Sequence, residues 1–211
     1  MNPDRHTTFY EVWDALGTPG DCGLCVLHRR RAHQFVANLF YENVNHPGLR
    51  AHWHESLGFG DEGRTIAAAE QDALGLSILY ASLAHDLVQR LNHPPPKLHP
   101  ARPGPLETVM RKTDARYLDE FARHYGAADV QARHAAGFGL CLAHLDAVLR
   151  LLPDPALRMR LCEAERTLIA RLQSELQLFA DKSSYDSGQP FGPEADAWQR
   201  ALRKFRRPES P

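Results

Sequence analysis

The sequence lacks long hydrophobic runs, an excess of one charge and the patterns that mark β-strands. No apolar run approaches the roughly 20 residues that cross a bilayer, and no charged segment followed by an apolar stretch marks a signal peptide. The 25 Lys and Arg nearly balance the 26 Asp and Glu. This balance disfavours a protein that mainly neutralises nucleic-acid phosphates. We therefore expect a cytoplasmic globular protein with neither a membrane nor a nucleic acid as partner.

Helix-forming residues dominate the chain, and runs of alternating Val, Ile and Thr are absent. Helical spacing of apolar residues predicts helices over residues 8–16, 23–44, 61–91, 105–125, 155–181 and 193–205, with shorter ones between them. Six prolines between positions 92 and 105 exclude a helix there and predict an extended connector. The sequence therefore predicts an all-α fold.

The two halves of the chain resemble each other. The separation of Cys22 from Gly60 nearly equals that of Gly104 from Cys141, and each pair encloses a similar order of long and short helices. We expect one helical domain over residues 1–205, with duplicated units at about 22–91 and 104–181. The two units are predicted to share one core closed by a C-terminal helix, and the tail 206–211 is predicted to be frayed.

Two pairs of metal-ligating residues stand at predicted helix starts. Cys22 and Cys25 are three residues apart, and so are Cys141 and His144. This spacing places both members of a pair on one side of the first helical turn, where the helix dipole favours thiolate. If Cys22 and Cys25 of the first half meet Cys141 and His144 of the second, the four residues form a Cys₃His set suited to tetrahedral Zn²⁺.

Other interpretations of the thiols stay open. Cys22 and Cys25 are also a candidate thiol-redox pair, an iron–sulfur cluster is an alternative to zinc, and the thiols are also compatible with simple packing at helix starts. His28 is a candidate to replace or support His144, although a solvated helix histidine is the simpler interpretation. Cys162 lies near the apolar stripe of its helix and is expected to be a core residue.

The motifs resemble those of a family of uncharacterised bacterial helical proteins, some of which are labelled ABC-transporter substrate-binding proteins. That family carries Cys-Pro-x-Cys and Gly-Phe/Leu-Cys-x-x-His motifs, each roughly twice. The resemblance implies half of the family's ligand set and no established activity, since Gly60, Gly63, Gly104 and Glu107 stand where further ligands are expected. The matching positions are Cys22-Gly-Leu-Cys25, Gly139-Leu-Cys141-Leu-Ala-His144, Glu175, Leu176, Phe179, Lys182, Tyr185, Glu194, Asp196 and Trp198.

The C-terminal segment is the candidate for a second functional surface. Lys182, Tyr185 and Glu194 would form the site if the protein is an enzyme, whereas a structural interpretation has Tyr185 and Trp198 pin the last helix while Lys182 pairs with a carboxylate. The short basic runs, including Arg203 and Lys204, are expected to be solvated. Taken together, the sequence favours a metal-binding protein, with structural zinc, that acts as a binding or interaction module for a protein or small molecule rather than as an enzyme.

Overall fold

The computed structural model describes residues 5–93, 95–183 and 189–207. Over these residues the chain forms helices and turns without strands, which confirms the all-α prediction. None of the described helices is long and apolar enough to cross a membrane. The helices are α1 (Thr7–Leu16), α2 (Gly23–Asn38), α3 (Pro47–Ser56), α4 (Asp61–Glu70), α5 (Ala73–Leu91), α6 (Pro105–His124), α7 (Ala128–Ala136), α8 (Leu142–Leu151), α9 (Pro155–Lys182) and α10 (Ala197–Lys204).

Three predicted helices differ from the observed ones. The helix expected over 193–205 is a 3-10 turn, Pro193–Asp196, followed by α10. The helix expected over 61–91 is interrupted, because Gln71 adopts a left-handed conformation with φ of 56°. Asp72 then begins α5, and its carboxylate accepts a 2.7 Å hydrogen bond from the backbone N–H of Gly75. A side-chain cap of this kind satisfies a backbone donor that a helix start leaves unpaired. The helix expected over 23–44 ends in a π-helical turn, Leu39–Asn43.

The chain divides into two compact units. Unit 1 comprises Met1–Leu27 and Ala115–Pro211, and unit 2 comprises His28–Asp114. Each unit has its own cluster of buried apolar side chains, so the structure contains two cores where the sequence predicted one shared core. The predicted halves 22–91 and 104–181 stay a prediction.

The core of unit 1 is built from segments that are far apart in the sequence. Helix α1 packs against α7, α7 packs against α9, and α9 packs against α10. The guanidinium of Arg133 in α7 donates a 2.7 Å hydrogen bond to the carbonyl of Trp13 in α1. The central buried side chains include Phe9, Leu16, Leu27, Phe121, Leu140, Val148 and Leu161.

The core of unit 2 is centred on Trp53, which is fully buried in α3. The ring of Trp53 meets the ring of Phe59 edge to face at 4.8 Å and the ring of Tyr80 at 5.2 Å. Edge-to-face pairs of this kind add about 0.5–1.5 kcal/mol to the burial of the rings. Helix α3 is thereby fixed against α5 and against the start of α4.

Candidate metal centre

Four metal-ligating side chains meet at the starts of α2 and α8 in unit 1. Cys22 immediately precedes α2 and Cys25 is its third residue, whereas Cys141 immediately precedes α8 and His144 is its third residue. The four ligand atoms all lie within 4.8 Å of one another. The structure therefore brings together the two pairs that the sequence singled out, and it presents a Cys₃His group that could hold a metal ion.

The imidazole nitrogen of His144 lies close to all three sulfur atoms. The Nδ1 atom of His144 lies 3.3 Å from Sγ of Cys22, 3.4 Å from Sγ of Cys25 and 3.3 Å from Sγ of Cys141. The sulfur atoms of Cys25 and Cys141 are 3.6 Å apart. In a tetrahedral zinc site with Zn–S of about 2.3 Å and Zn–N of about 2.05 Å, two sulfurs lie about 3.8 Å apart, and each lies about 3.6 Å from the nitrogen. Each of these four separations is slightly shorter than its counterpart in such a zinc site, and all four ligand atoms lie within 4.8 Å of one another.

The cluster is enclosed by protein. Cys22, Cys25 and Cys141 are buried, and His144 is partly buried. Burial raises the pKa of the Cys22 thiol well above its usual range. Hydrogen bonds from the thiols of Cys22 and Cys25 hold the pKa of Cys141 far below its usual range. A metal ion that binds all three sulfurs as thiolates must therefore displace a proton from Cys22.

The pKa of His144 is also shifted by its neighbours in the cluster. Burial by itself lowers the pKa of His144, but hydrogen bonds with Cys141 and Cys25 outweigh it and raise the pKa to about 9. The sulfurs of Cys141 and Cys25 therefore favour a positive charge at the ring. A divalent cation at the centre would supply that charge and leave the imidazole neutral, which is the form that ligates metals.

The loop before Cys141 is held by a buried ionic network. Glu165 in α9 accepts a 2.6 Å hydrogen bond from the backbone N–H of Leu140. The Nζ atom of Lys204 in α10 lies 2.5 Å from the other carboxylate oxygen and also donates to the carbonyl of Phe138 at 3.1 Å. Glu165 and Lys204 are each only 1% exposed. The network fixes the backbone on the N-terminal side of Cys141 and ties α10 to it.

A glycine is required in this loop. Gly139 has φ of 78°, and a Cβ atom at this position would lie 2.7 Å from a carboxylate oxygen of Glu165 and 2.9 Å from Nζ of Lys204. Any larger residue would be strained by its backbone conformation and would push into the ion pair. The close approach of the loop to the ion pair is what places Cys141 at the start of α8.

The start of α2 is positioned by its own contacts within unit 1. A Cβ atom at Gly23 would lie 2.7 Å from the backbone carbonyl of Ala15, so α2 begins in direct contact with the end of α1. The carboxylate of Asp21 accepts a 2.7 Å hydrogen bond from the N–H of Cys22. These contacts fix the backbone that carries both cysteines of the first pair.

The C-terminal segment passes over the cluster. The carbonyl of Arg206 accepts a 3.1 Å hydrogen bond from the N–H of Ala143 in the first turn of α8. The guanidinium of Arg206 donates to Sγ of Cys25 at 3.8 Å. Three thiolates around a divalent cation carry a net charge of −1, and the guanidinium supplies a compensating positive charge. The predicted fraying of 206–211 stays a prediction, and residues 208–211 lie outside the described residues.

Several predicted side-chain environments are wrong. Cys162 is exposed rather than buried, because it follows the inward-facing Leu161 by one position and a helix turns about 100° per residue. His28 is not a solvated histidine, since Nδ1 lies 2.8 Å from Asp114 and Nε2 lies 2.8 Å from Glu62. Both of its ring nitrogens are thus engaged by carboxylates.

The C-terminal candidate surface contains a closed ion pair. Lys182 lies 2.7 Å from Glu194 and also donates to the carbonyl of Pro190 at 3.0 Å. The hydrogen bond from Lys182 lowers the pKa of Glu194 to about 2. This matches the structural interpretation, in which Lys182 pairs with a carboxylate. Trp198 is 47% exposed and does not pin the helix as predicted, and Tyr185 lies outside the described residues.

Sequence reasoning missed the residues that hold the Cys141 loop. Lys204 was assigned to a solvated basic run, and neither Glu165 nor His134 was singled out. His134 is fully buried and its Nε2 atom lies 2.9 Å from Glu165. A signal was present, since Glu165 shares the inward face of α9 with Leu161 and Leu168. A carboxylate within an apolar stripe is rarely buried without a partner.

Comparison with protein-family models, with curated proteins and with solved structures finds no match for this chain.

Proposed function

We propose that the protein binds one zinc ion through Cys22, Cys25, Cys141 and His144. The observation that carries the proposal is the arrangement of three sulfurs and one imidazole nitrogen within 4.8 Å of one another. Tetrahedral sulfur and nitrogen coordination is the preference of Zn²⁺. The imidazole ligand favours zinc over an iron–sulfur cluster, whose ligands are usually four thiolates.

The proposed zinc has a structural role. Protein atoms supply all four positions of the tetrahedron, whereas a catalytic zinc keeps one position open for water or substrate. The ligands come from two segments of unit 1 that more than 110 residues separate along the chain. Zinc would cross-link these segments, so its binding free energy would contribute directly to the folding of unit 1. On this basis the protein is a metal-stabilised binding or interaction module rather than an enzyme. The proposal includes membership of the family of uncharacterised bacterial helical proteins whose motifs the sequence resembles.

The first experiment is elemental analysis of protein purified without chelator or an affinity metal. We expect about one zinc ion per chain, as for a closed four-ligand site. The Cys25→Ser variant should lose the metal, whereas Cys162→Ser should retain it. Cys162 is a matched control because it is the exposed cysteine and lies outside the cluster.

The same preparation separates the alternatives. The presence of iron together with visible absorption would indicate an iron–sulfur cluster instead of zinc. A metal-free chain with a disulfide between Cys22 and Cys25, the candidate redox pair, would favour a thiol-redox protein and would refute the zinc proposal. A metal-free chain with all thiols reduced would also refute it.

Chelation provides a second test with a different readout. Removal of the metal should lower the thermal midpoint, because metal binding at a closed structural site is coupled to folding. The Cys25→Ser variant should already have the lower midpoint and should not respond to the chelator. An equal response of both proteins would show that the chelator acts elsewhere.

A further inference from the structure

Unit 2 contains two helix starts built like those of the metal centre. Gly60 immediately precedes α4 and Gly63 is its third residue, whereas Gly104 immediately precedes α6 and Glu107 is its third residue. These are the positions that the cysteines and the histidine occupy in unit 1. The carbonyl of the residue before the helix accepts a hydrogen bond from the N–H four residues on in all four cases, namely Cys22 to Val26, Gly60 to Arg64, Gly104 to Thr108 and Cys141 to Leu145.

The approach to the helix also repeats. Gly58 precedes Gly60 by two residues and has φ of 92°, and Gly139 precedes Cys141 by two residues and has φ of 78°. Both loops therefore turn through a left-handed glycine before the helix begins. The equivalence of the two starts thus extends beyond the helices to the loops that deliver them.

The carboxylate of Glu107 lies between the two helix starts of unit 2. A Cβ atom added at Gly60 would collide with one carboxylate oxygen, and a Cβ atom added at Gly104 would collide with the other. The carboxylate therefore fills the space toward which side chains at both positions would point. Both oxygens are buried and accept no hydrogen bond from the described residues.

The local charge explains why an anion lies at this point. The N-terminus of a helix carries a partial positive charge and unpaired N–H groups, and these favour a negative group. Two such ends meet at the Glu107 carboxylate. Arg64, Arg102 and Asp61 line the adjoining cavity, where Arg64 pairs with Asp61 and Arg102 with Glu55. The two helix starts thus favour the carboxylate of Glu107 at this point.

We propose that unit 2 contains a metal-free counterpart of the centre in unit 1, in which the carboxylate of Glu107 takes the place of the metal ion and its ligands. The absence of side chains at Gly60 and Gly104 is thus coupled to the position of Glu107, because a Cβ atom at either glycine would force the carboxylate to move. The scaffold accepts a thiophilic divalent cation when Glu107 is replaced and thiols are restored.

A double-mutant cycle tests the exclusion in the otherwise natural chain. Gly60→Ala should lower the urea midpoint when Glu107 is present and should lower it much less in the Glu107→Ala background. The control is Gly126→Ala, whose new Cβ atom would have its nearest neighbour at 3.8 Å. Its effect should be the same in both backgrounds. An equal effect of Gly60→Ala in both backgrounds would overturn the proposal, since the carboxylate would then not occupy the space at Gly60.

Cobalt binding tests the scaffold directly. The variant combines Gly60→Cys, Gly104→Cys and Glu107→Cys and leaves Gly63, because a Cβ atom there would lie 2.7 Å from the Phe59 ring. Both this variant and its parent carry Cys162→Ser, so that the exposed thiol does not contribute. Co²⁺ titration followed by thiolate-to-cobalt absorption should show about one more ion per chain in the variant than in the parent.

The difference between the two proteins decides the result. A folded variant that binds no more Co²⁺ than its parent overturns the proposal. A parent that binds none, with a variant that binds about one, supports the proposal while refuting the metal centre of unit 1. If the variant does not fold, the double-mutant cycle decides.

Discussion

Lys204→Met should destabilise the protein strongly although no metal ligand is changed. Lys204 is 1% exposed and forms a buried ion pair with Glu165, which is equally buried. Methionine retains much of the volume of the lysine side chain but removes the charge and the hydrogen bonds that Nζ donates to Glu165 and to the carbonyl of Phe138. The carboxylate of Glu165 would then keep the hydrogen bonds from Leu140 and His134 without its charged partner.

The expected magnitude follows from the burial of the pair. Removing one partner of a buried ion pair costs about 3–5 kcal/mol, because the remaining charge is buried without compensation. For a chain of this size that loss corresponds to a thermal midpoint lower by roughly 10 °C. The double variant Glu165→Leu and Lys204→Met should lose less than the sum of the single variants, since it leaves no unpaired charge. Its residual loss should be about 1–3 kcal/mol, because the N–H of Leu140 no longer has its acceptor.

The assay is urea unfolding followed by circular dichroism, since urea leaves charge interactions unscreened. The matched control is Arg166→Met, which breaks the Glu163–Arg166 pair on the same helix. Those side chains are 62% and 76% exposed, and exposed pairs contribute only about 0–1 kcal/mol. If Lys204→Met loses no more stability than Arg166→Met, the buried network does not hold the Cys141 loop and our reasoning is wrong.

The pH dependence of this effect has a definite sign. Burial raises the pKa of Glu165, but hydrogen bonding to His134 and the charge of Lys204 outweigh it, and the net pKa is lowered. A lowered carboxyl pKa contributes stability above the unfolded value of about 4.3. The contribution is lost as the pH falls through the lower folded value. The difference in the free energy of unfolding between the parent and Lys204→Met should therefore be constant near neutrality. The difference should become smaller under strongly acidic conditions.

Three further predictions concern single residues. Gly139→Ala should lower both the thermal midpoint and the metal content, because the new Cβ atom enters the Glu165 ion pair at a strained φ; an unchanged metal content would contradict this. Hydrogen bonding to Asp114 raises the pKa of His28, so its stabilising effect should be complete below about pH 6.5 and be lost as the pH rises through the raised value. Urea midpoints of the parent and His28→Gln should accordingly converge at alkaline pH, and a constant difference would refute the assignment. Cys162 should be the thiol that reacts fastest with a maleimide in the metal-loaded protein, as mass spectrometry of the labelled peptides can show; prior labelling of Cys25 would contradict the enclosed centre.

The sequence contained enough information to locate the metal-ligating residues. Each pair has its members three residues apart at a helix start, and such spacing fixes a local geometry that does not depend on the rest of the fold. The presence of one pair in each half of the chain predicted that the two helix starts meet within a single centre. The structure places all four ligand atoms within 4.8 Å.

Other features were not predictable from local patterns. The left-handed backbone of Gln71 ends one helix and the next begins shortly after it, although the apolar periodicity runs on. The sequence therefore predicts one helix where two exist. Lys204 looks like part of a solvated basic run, because its partner Glu165 is distant in the sequence and only tertiary packing brings the two together. Cys162 was misplaced by one helical position, and periodicity alone does not resolve so small a rotation.

By itself, the sequence determined the all-α class, the helix starts that carry the four donors and the chemical types of those donors. These properties follow from helix propensity, capping and residue spacing, which act over a few residues. Only the tertiary structure decided that there are two cores rather than one, that Lys204 is buried against Glu165, and that Glu107 fills the space between two glycine-marked helix starts. Those outcomes depend on contacts between residues distant in the sequence, whose free energies are set by burial and by the pairing of charges away from water.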